Sequence, residues 1–353
     1  MVRKFSLLAV LLLLVITGIS FHSNGEAHAQ RGQAGGGKVV IANRGSGSIS
    51  VIDTNTDVLV GTFDLPADGN EPEPMYVVDG RAKNRVFVGD RANDRVVVFN
   101  AQDFSVETTV AAGRGVFHMW ADARNKQLWV NNDIENTSTV INPNTLEVLA
   151  TVPTPADLVA LGGKPHDVIL DPNGTYAYVT VLGVAGPNDY LVQFSTDTFQ
   201  EVNRAVVGKD PHVSLTKHND LLYVPCQNSD VVIVLNRETL AEVTTIVVPG
   251  AHGAGMVRNG KSFYTTNLPG GGEDALFAID TAANTVIGEP VDTPFPVPHN
   301  IALTPNGQKL YVTHSGGDAE KVTVYTASRN NPTPVFLTEV TVGTNPFGLA
   351  YVQ

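Results

Sequence analysis

A repeat of roughly 45 residues runs through most of the chain and constrains its fold more than any other feature. Asp171-Pro-Asn-Gly174-Thr-Tyr-Ala-Tyr-Val-Thr180 returns as Thr304-Pro-Asn-Gly307-Gln-Lys-Leu-Tyr-Val-Thr313. Weaker copies stand at Leu222-Tyr-Val224 and Phe263-Tyr-Thr-Thr-Asn267. A polar loop follows each, then a strand closing on an Asp or Asn turn, as in Val51-Ile-Asp53, Val140-Ile-Asn142, Val234-Leu-Asn236 and Ala278-Ile-Asp280. Another Val-rich strand comes next, for example Glu242 to Val248. Aligned on their first strands, the copies begin at Pro74-Met75, Phe117-His118, Pro165-His166, Pro211-His212, Ala251-His252, Pro298-His299 and Pro346-Phe347. The spacings are 43, 48, 46, 40, 47 and 48 residues. Four strands per period match one blade of a β-propeller, and seven starts predict seven blades.

The flanks of the repeat predict how the ring closes. Lys38 to Leu65 holds second, third and fourth strands without a first, whereas Asn345 to Gln353 is a first strand with nothing after it. Pairing Phe347–Val352 with Lys38–Asn43 would complete one blade and remove the exposed sheet edges of an open array. The expected fold is therefore all-β, a seven-bladed propeller of four-stranded antiparallel blades over residues 38–353. Composition agrees: charged residues are only 16%, Gly numbers 33 and Pro 21, and no sustained helical period appears.

Residues 1–29 read as a secretory signal peptide. Met1-Val-Arg-Lys is basic, Leu7 to Ile19 is apolar, and Ala27-His-Ala29 offers a small-x-small cleavage site before Gln30. The apolar run is shorter than the ~20 residues of a spanning helix, so no membrane anchor is expected after cleavage. Residues 30–37 read as a flexible linker, and the working compartment as periplasmic or extracellular. A formal charge of −12 argues against a nucleic-acid partner. Cys226 is the single cysteine, which excludes an intramolecular disulfide.

Five histidines, His118, His166, His212, His252 and His299, take one position in consecutive copies of the repeat although their flanking residues differ. A propeller gathers equivalent inner-strand positions around one mouth of its central channel. The second strands should end at the same mouth, with Asn43, Asp90, Asn132, Cys226, Asn267 and His314 at their ends. Imidazoles suit copper or zinc, with lower-ranked support from His314, Cys226 and Met75. Asp167 and Asp210 stand beside ring histidines and could orient an imidazole or cap a loop. His218 is expected in a turn on the opposite face.

Tyr178-Val-Thr, Tyr311-Val-Thr and their Asp/Thr-Pro-Asn-Gly turns resemble the YVTN family of β-propeller repeats over nearly all of residues 38–353. That resemblance implies the fold and says little of function. Histidines converging on a channel mouth also resemble the propeller of nitrous oxide reductase, which holds a histidine-bound copper cluster. Met75 and Phe347 replace two ring positions here, and no cysteine-rich second copper domain is present in the sequence, so that reaction does not carry over. Pro-His before an apolar strand is similar to the streptogramin lyases, whose propeller uses a mouth histidine and a divalent metal. The expectation is an exported propeller binding protein with a copper or zinc site at the channel mouth. Left open are a metal-free secreted scaffold with a protein partner on the propeller face, and a lyase or oxidoreductase acting on a small molecule there.

Overall fold

The computed structural model describes residues 36–353 except 81–82, 216–219, 258–259, 269–273 and 329–330. The expected signal peptide, nearly all of the linker and His218 lie outside the described residues. Within them are seven antiparallel sheets, each ordered from an inner strand outward. Blade 1 joins Pro346–Val352 to Lys38–Asn43, Ser48–Asp53 and Val58–Asp64. Its closing register pairs Lys38 with Val352 and Asn43 with Pro346, as the incomplete flanks of the repeat predict. The inner strands of blades 2 to 7 are Pro74–Gly80, Val116–Ala121, Lys164–Leu170, Ser214–Leu215, Ala251–Met256 and Pro298–Leu303.

Burial along the strands follows from blades stacked face to face. A second or third strand has a blade on either side, so both faces are covered: Lys38–Asn43 and Ser48–Asp53 are almost wholly buried. The outer Val58–Asp64 alternates between exposed and half-buried residues. Apolar clusters therefore form between blades, with Val40 and Ile49 of blade 1 packing with Val86 and Val97 of blade 2. Tyr223 of blade 5 stacks on Phe263 of blade 6 at 5.0 Å.

The repeated tyrosine is explained by the same stacking. Tyr178 donates to the Arg237 carbonyl at 2.9 Å, Tyr223 to Asn284 Oδ1 at 2.7 Å and Tyr264 to the Pro332 carbonyl at 2.8 Å. Each bond runs from a second strand to the outer part of the following blade. Tyr311 makes the equivalent contact across the closing seam, donating to the Asp57 carboxylate, which also accepts from Lys309 Nζ at 2.6 Å. Leaving a carboxylate without its donor costs more than leaving a neutral carbonyl. Tyr311→Phe should therefore destabilise the protein by about 2 kcal/mol and Tyr178→Phe by about 1 kcal/mol. Chemical denaturation of both variants checks this; equal losses would remove the special role of the seam.

Three features depart from the repeat. A short helix, Ala156–Ala160, sits between blades 3 and 4. The outer strand of blade 6 is split into Thr285–Val286 and Val291–Asp292, interrupted by Gly288 with φ of 65°. Blade 3 is shifted by one residue. Val116 pairs with Asn132 in the place where Pro74 pairs with Asp90, Ala251 with Asn267 and Pro298 with His314. The residue following that pair is Phe117, so His118 does not share the position of the other four histidines. A β-bulge follows the paired residue in the inner strands of blades 2, 3, 4, 6 and 7, so residue spacing alone does not reveal the offset.

Candidate functional site at the channel mouth

At or just before the start of each inner strand one residue bridges to the second strand near its end, as Pro74 does to Asp90, Pro165 to Val181 and Pro211 to Cys226, and the residue that follows lines the mouth. In blade order these are Phe347, Met75, Phe117, His166, His212, His252 and His299. Their rings touch in sequence: Phe117–His166 at 4.6 Å, His166–His212 at 4.9 Å, His212–His252 at 3.8 Å, His252–His299 at 4.6 Å and His299–Phe347 at 4.1 Å between centroids. Met75 packs with Tyr76, Phe347 and Phe117 in an apolar cluster. One half of the mouth is thus imidazole and the other half aromatic and aliphatic. Arg44 lies over Phe347 and Arg91 over Phe117, and both are paired with acids, Arg44 to Glu73 at 2.6 Å and Arg91 to Asp133 at 2.8 Å.

One residue deeper along the strands, side chains reach sideways. His118 Nδ1 accepts from the Val168 N–H at 3.1 Å, and Asp167 Oδ2 accepts from the Val213 N–H at 3.3 Å. Tyr76 goes further, meeting His118 and Phe117 of blade 3, Phe347 of blade 1 and the Asn300 side chain of blade 7. A group that touches this many blades lies on the axis. Gly253 permits the close approach on the histidine side, since a Cβ there would stand 1.8 Å from the His299 carbonyl oxygen.

Asp167 organises the imidazoles. Its Oδ1 is 3.2 Å from His166 Nδ1 and its Oδ2 is 3.3 Å from His212 Nδ1. Ligating atoms of these three residues lie within 4.8 Å of one another. Burial opposes charge on Asp167, yet the neighbouring imidazoles of His118 and His212 outweigh it and hold the carboxyl well below its usual range. His212 is the counterpart: burial alone would lower it, but the Asp167 carboxylate raises it above an ordinary histidine. His252 is pushed well below the usual value by burial and by His212 and His299, and His299 falls to about 3 for the same kind of reason. The arc therefore combines an acid-paired imidazole with imidazoles kept neutral.

Among the described residues several buried polar atoms here have no hydrogen-bond partner: His212 Nε2, both ring nitrogens of His252, and His166 Nδ1 and Asp167 Oδ1 beyond their contact with each other. His252 is only 5% exposed and His212 3%. A buried polar atom without a hydrogen bond costs about 1–3 kcal/mol, so these nitrogens are arranged to take a water, an ion or a ligand atom. Imidazole nitrogens with one carboxylate are a donor set suited to zinc or copper.

The remaining sequence candidates are engaged elsewhere. His314 directs Nδ1 to the Pro296 carbonyl at 3.0 Å and Nε2 to Thr323 Oγ1 at 2.8 Å, leaving neither nitrogen for a ligand. Cys226 is buried among apolar side chains, and burial pushes its thiol up to about 12, so it stays protonated. Asn43, Asp90, Asn132 and Asn267 do stand at the second-strand ends but hold hairpins, as when Asn43 Nδ2 donates to Ser50 at 2.9 Å. Asp210 accepts from Asn228 at 3.3 Å and does not hold a ring nitrogen in the way Asp167 does. Sequence reading missed Tyr76, Phe117 and Asn300. Each neighbours or occupies a ring position, and the blade 3 register was the signal needed to see it.

A seven-bladed propeller with a histidine-lined channel mouth defines the class of protein. The chain belongs to the lactonase-type seven-bladed β-propeller family, whose model matches residues 20–251. The periplasmic gluconolactonase of Pseudomonas aeruginosa is 16% identical with a TM-score of 0.69, covering 90% of this chain and 99% of that one. A chain of Kuenenia stuttgartiensis hydrazine synthase is 15% identical with a TM-score of 0.67, covering 81% and 93%. A Lactobacillus plantarum protein is 16% identical with a TM-score of 0.72, covering 90% and 100%. At these identities the likeness concerns the fold. No curated protein matches the chain.

Proposed function

We propose that this chain is an exported metalloprotein of the lactonase-type propeller family, binding copper or zinc at the channel mouth and acting there on a small cyclic ester. His166, His212 and His252 would hold the ion, with Asp167 orienting the first two. The observation that carries this reading is the set of buried, unpartnered nitrogens on His212 and His252. His118 lies outside that set, because its Nδ1 is already taken by Val168. The ester substrate is suggested by the family and by the gluconolactonase among the structural neighbours. An ion there would polarise an ester carbonyl.

A second reading rests on the Asp167–His212 contact. A carboxylate on Nδ1 leaves Nε2 as a free base, an arrangement that activates water without metal. Metal content of protein purified without a histidine tag separates the two. The first reading expects near one equivalent, and an ion bound only to the native state at a hundred times its dissociation constant adds about 2.7 kcal/mol to stability. His212→Ala should abolish that thermal shift while the metal-free protein still folds. Hydrolysis of δ-gluconolactone with no metal bound and no shift on adding zinc or copper would favour the second. Neither metal nor hydrolysis would leave the scaffold reading, with a protein partner on the propeller face.

A further inference from the structure

One residue below the mouth the inner strands carry side chains of very unequal size. Blade 1 has Gly348 there and blade 6 has Gly253, while blade 2 has Tyr76. The Tyr76 ring leaves its own blade and packs edge-on against His118 at 4.4 Å, Phe117 at 5.5 Å and Phe347 at 5.6 Å between centroids, and its side chain meets Asn300 of blade 7. Gly348 lets it cross: a Cβ there would stand 2.7 Å from Tyr76 Cα and 2.8 Å from Cδ1. Tyr76 is only 6% exposed, so the ring fills the space it enters.

Exposure along the inner strands brackets this level. Above it, Met75, His212, His252, His299 and Phe347 are all buried. Below it, exposure returns: Ala254 and Leu349 are half-buried and Trp120 is 41% exposed. An inner strand has a blade on either side, so solvent reaches its middle from the channel. On the mouth side the more open flank of the arc is at His166, whose side chain is 15% exposed against 4% for His212, and the adjoining Phe117 is half-buried.

We propose that Tyr76 is the floor of the histidine arc, sealing it from the opposite face of the propeller, and that the arc is reached from the mouth alone, beside His166 and Phe117 between blades 3 and 4. An ion or small molecule then enters and leaves past one imidazole, and nothing passes through the ring. The seal is made by the phenol ring and not by its hydroxyl. It does not depend on what occupies the arc, so it stands or falls apart from the metal and lactone readings above.

Diethyl pyrocarbonate modifies neutral imidazoles, and mass spectrometry of the peptides reads each histidine of the metal-free full chain at pH 7. His166 should react first, with His252 and His299 slow. Tyr76→Ala should speed His252 and His299 by about tenfold or more, because the reagent then reaches them without a local opening of the ring. Tyr76→Phe should leave them slow, and p-cresol, which has the shape of the lost side chain, should restore protection to Tyr76→Ala. His314, buried at a second-strand end with both nitrogens bonded, should stay unreactive throughout. If His314 also accelerates in Tyr76→Ala, the whole ring has loosened, and Tyr76→Leu, with its smaller void, is read in its place. Slow His252 and His299 in a variant whose void binds p-cresol overturns the floor, as does a Tyr76→Phe protein that reacts like Tyr76→Ala. Wild-type His252 reacting as fast as His166 overturns the single entrance.

Discussion

Deleting Asn345–Gln353 should lower the melting temperature by roughly 10–20 °C or leave a chain that no longer folds cooperatively. The strand Pro346–Val352 makes the whole inner edge of blade 1 through its pairing with Lys38–Asn43. It also brings Phe347 and Val352 into the interior and receives bonds from blade 7, with Thr313 donating to the Phe347 carbonyl at 2.8 Å and Ser315 to the Pro346 carbonyl at 2.8 Å. Burying an aromatic or aliphatic side chain contributes about 1.5–3 kcal/mol, so two of them with half a dozen ladder bonds amount to roughly 6 kcal/mol or more. That approaches the whole stability of an ordinary domain, and in a chain of this size each kcal/mol moves the midpoint by about 2 °C. Circular dichroism melts and size-exclusion profiles of the truncated protein measure the loss. A permuted chain carrying the nine residues ahead of Lys38 through a short linker should recover it, because the register needs the strand and not its place in the sequence. A truncated protein that melts like the full chain would mean the ring is held by the inter-blade contacts alone.

Acid should destabilise the metal-free protein well before its carboxylates titrate. His299 and His252 are held neutral in the folded protein, His299 down to about 3, by burial and by the charge of His212. A histidine whose folded value lies below its unfolded value contributes stability that is complete above the unfolded value near 6.5 and is lost as pH falls toward the folded one. At pH 5 the loss from His299 alone is about 2 kcal/mol, and His252, held low by burial and its neighbours, acts in the same direction. His212 runs the other way, since its raised value favours the fold at low pH and that contribution fades as pH rises through it. Asp167, held low, keeps its contribution until pH falls below the ordinary carboxylate range. Urea denaturation should therefore give a lower stability at pH 5 than at pH 7, and His299→Gln should shrink the difference by up to about 2 kcal/mol. A pH-independent midpoint between these values would mean that the imidazoles take up protons freely in the folded state and that the arc is more open than its burial indicates.

Much of the architecture was legible because a propeller is a one-dimensional repetition: each blade repeats the same alternation of apolar runs and turns, so seven copies of one pattern carry their own count. The missing partner strand at Lys38 and the surplus one at Pro346 announced closure for the same reason. The repeated tyrosine was visible as a motif, but its purpose was not, because Tyr178 and Arg237 or Tyr311 and Asp57 meet only when blades stack. The histidine arc was half legible. Four of its members stand where the repeat puts them, while His118 was misplaced because the alignment of Phe117-His118 turns on a single residue that only the Val116–Asn132 pairing fixes. A one-residue slip sends a strand's side chains to the opposite side, and no count of residue types reveals it. Periodicity and turn chemistry by themselves determined the fold and the gathering of imidazoles at one mouth, since both are local properties repeated along the chain. Which imidazole pairs with Asp167, that Cys226 and His314 are engaged elsewhere, and that Met75 packs in the aromatic half of the mouth depended on contacts between blades far apart in sequence, which exist only once the ring has closed.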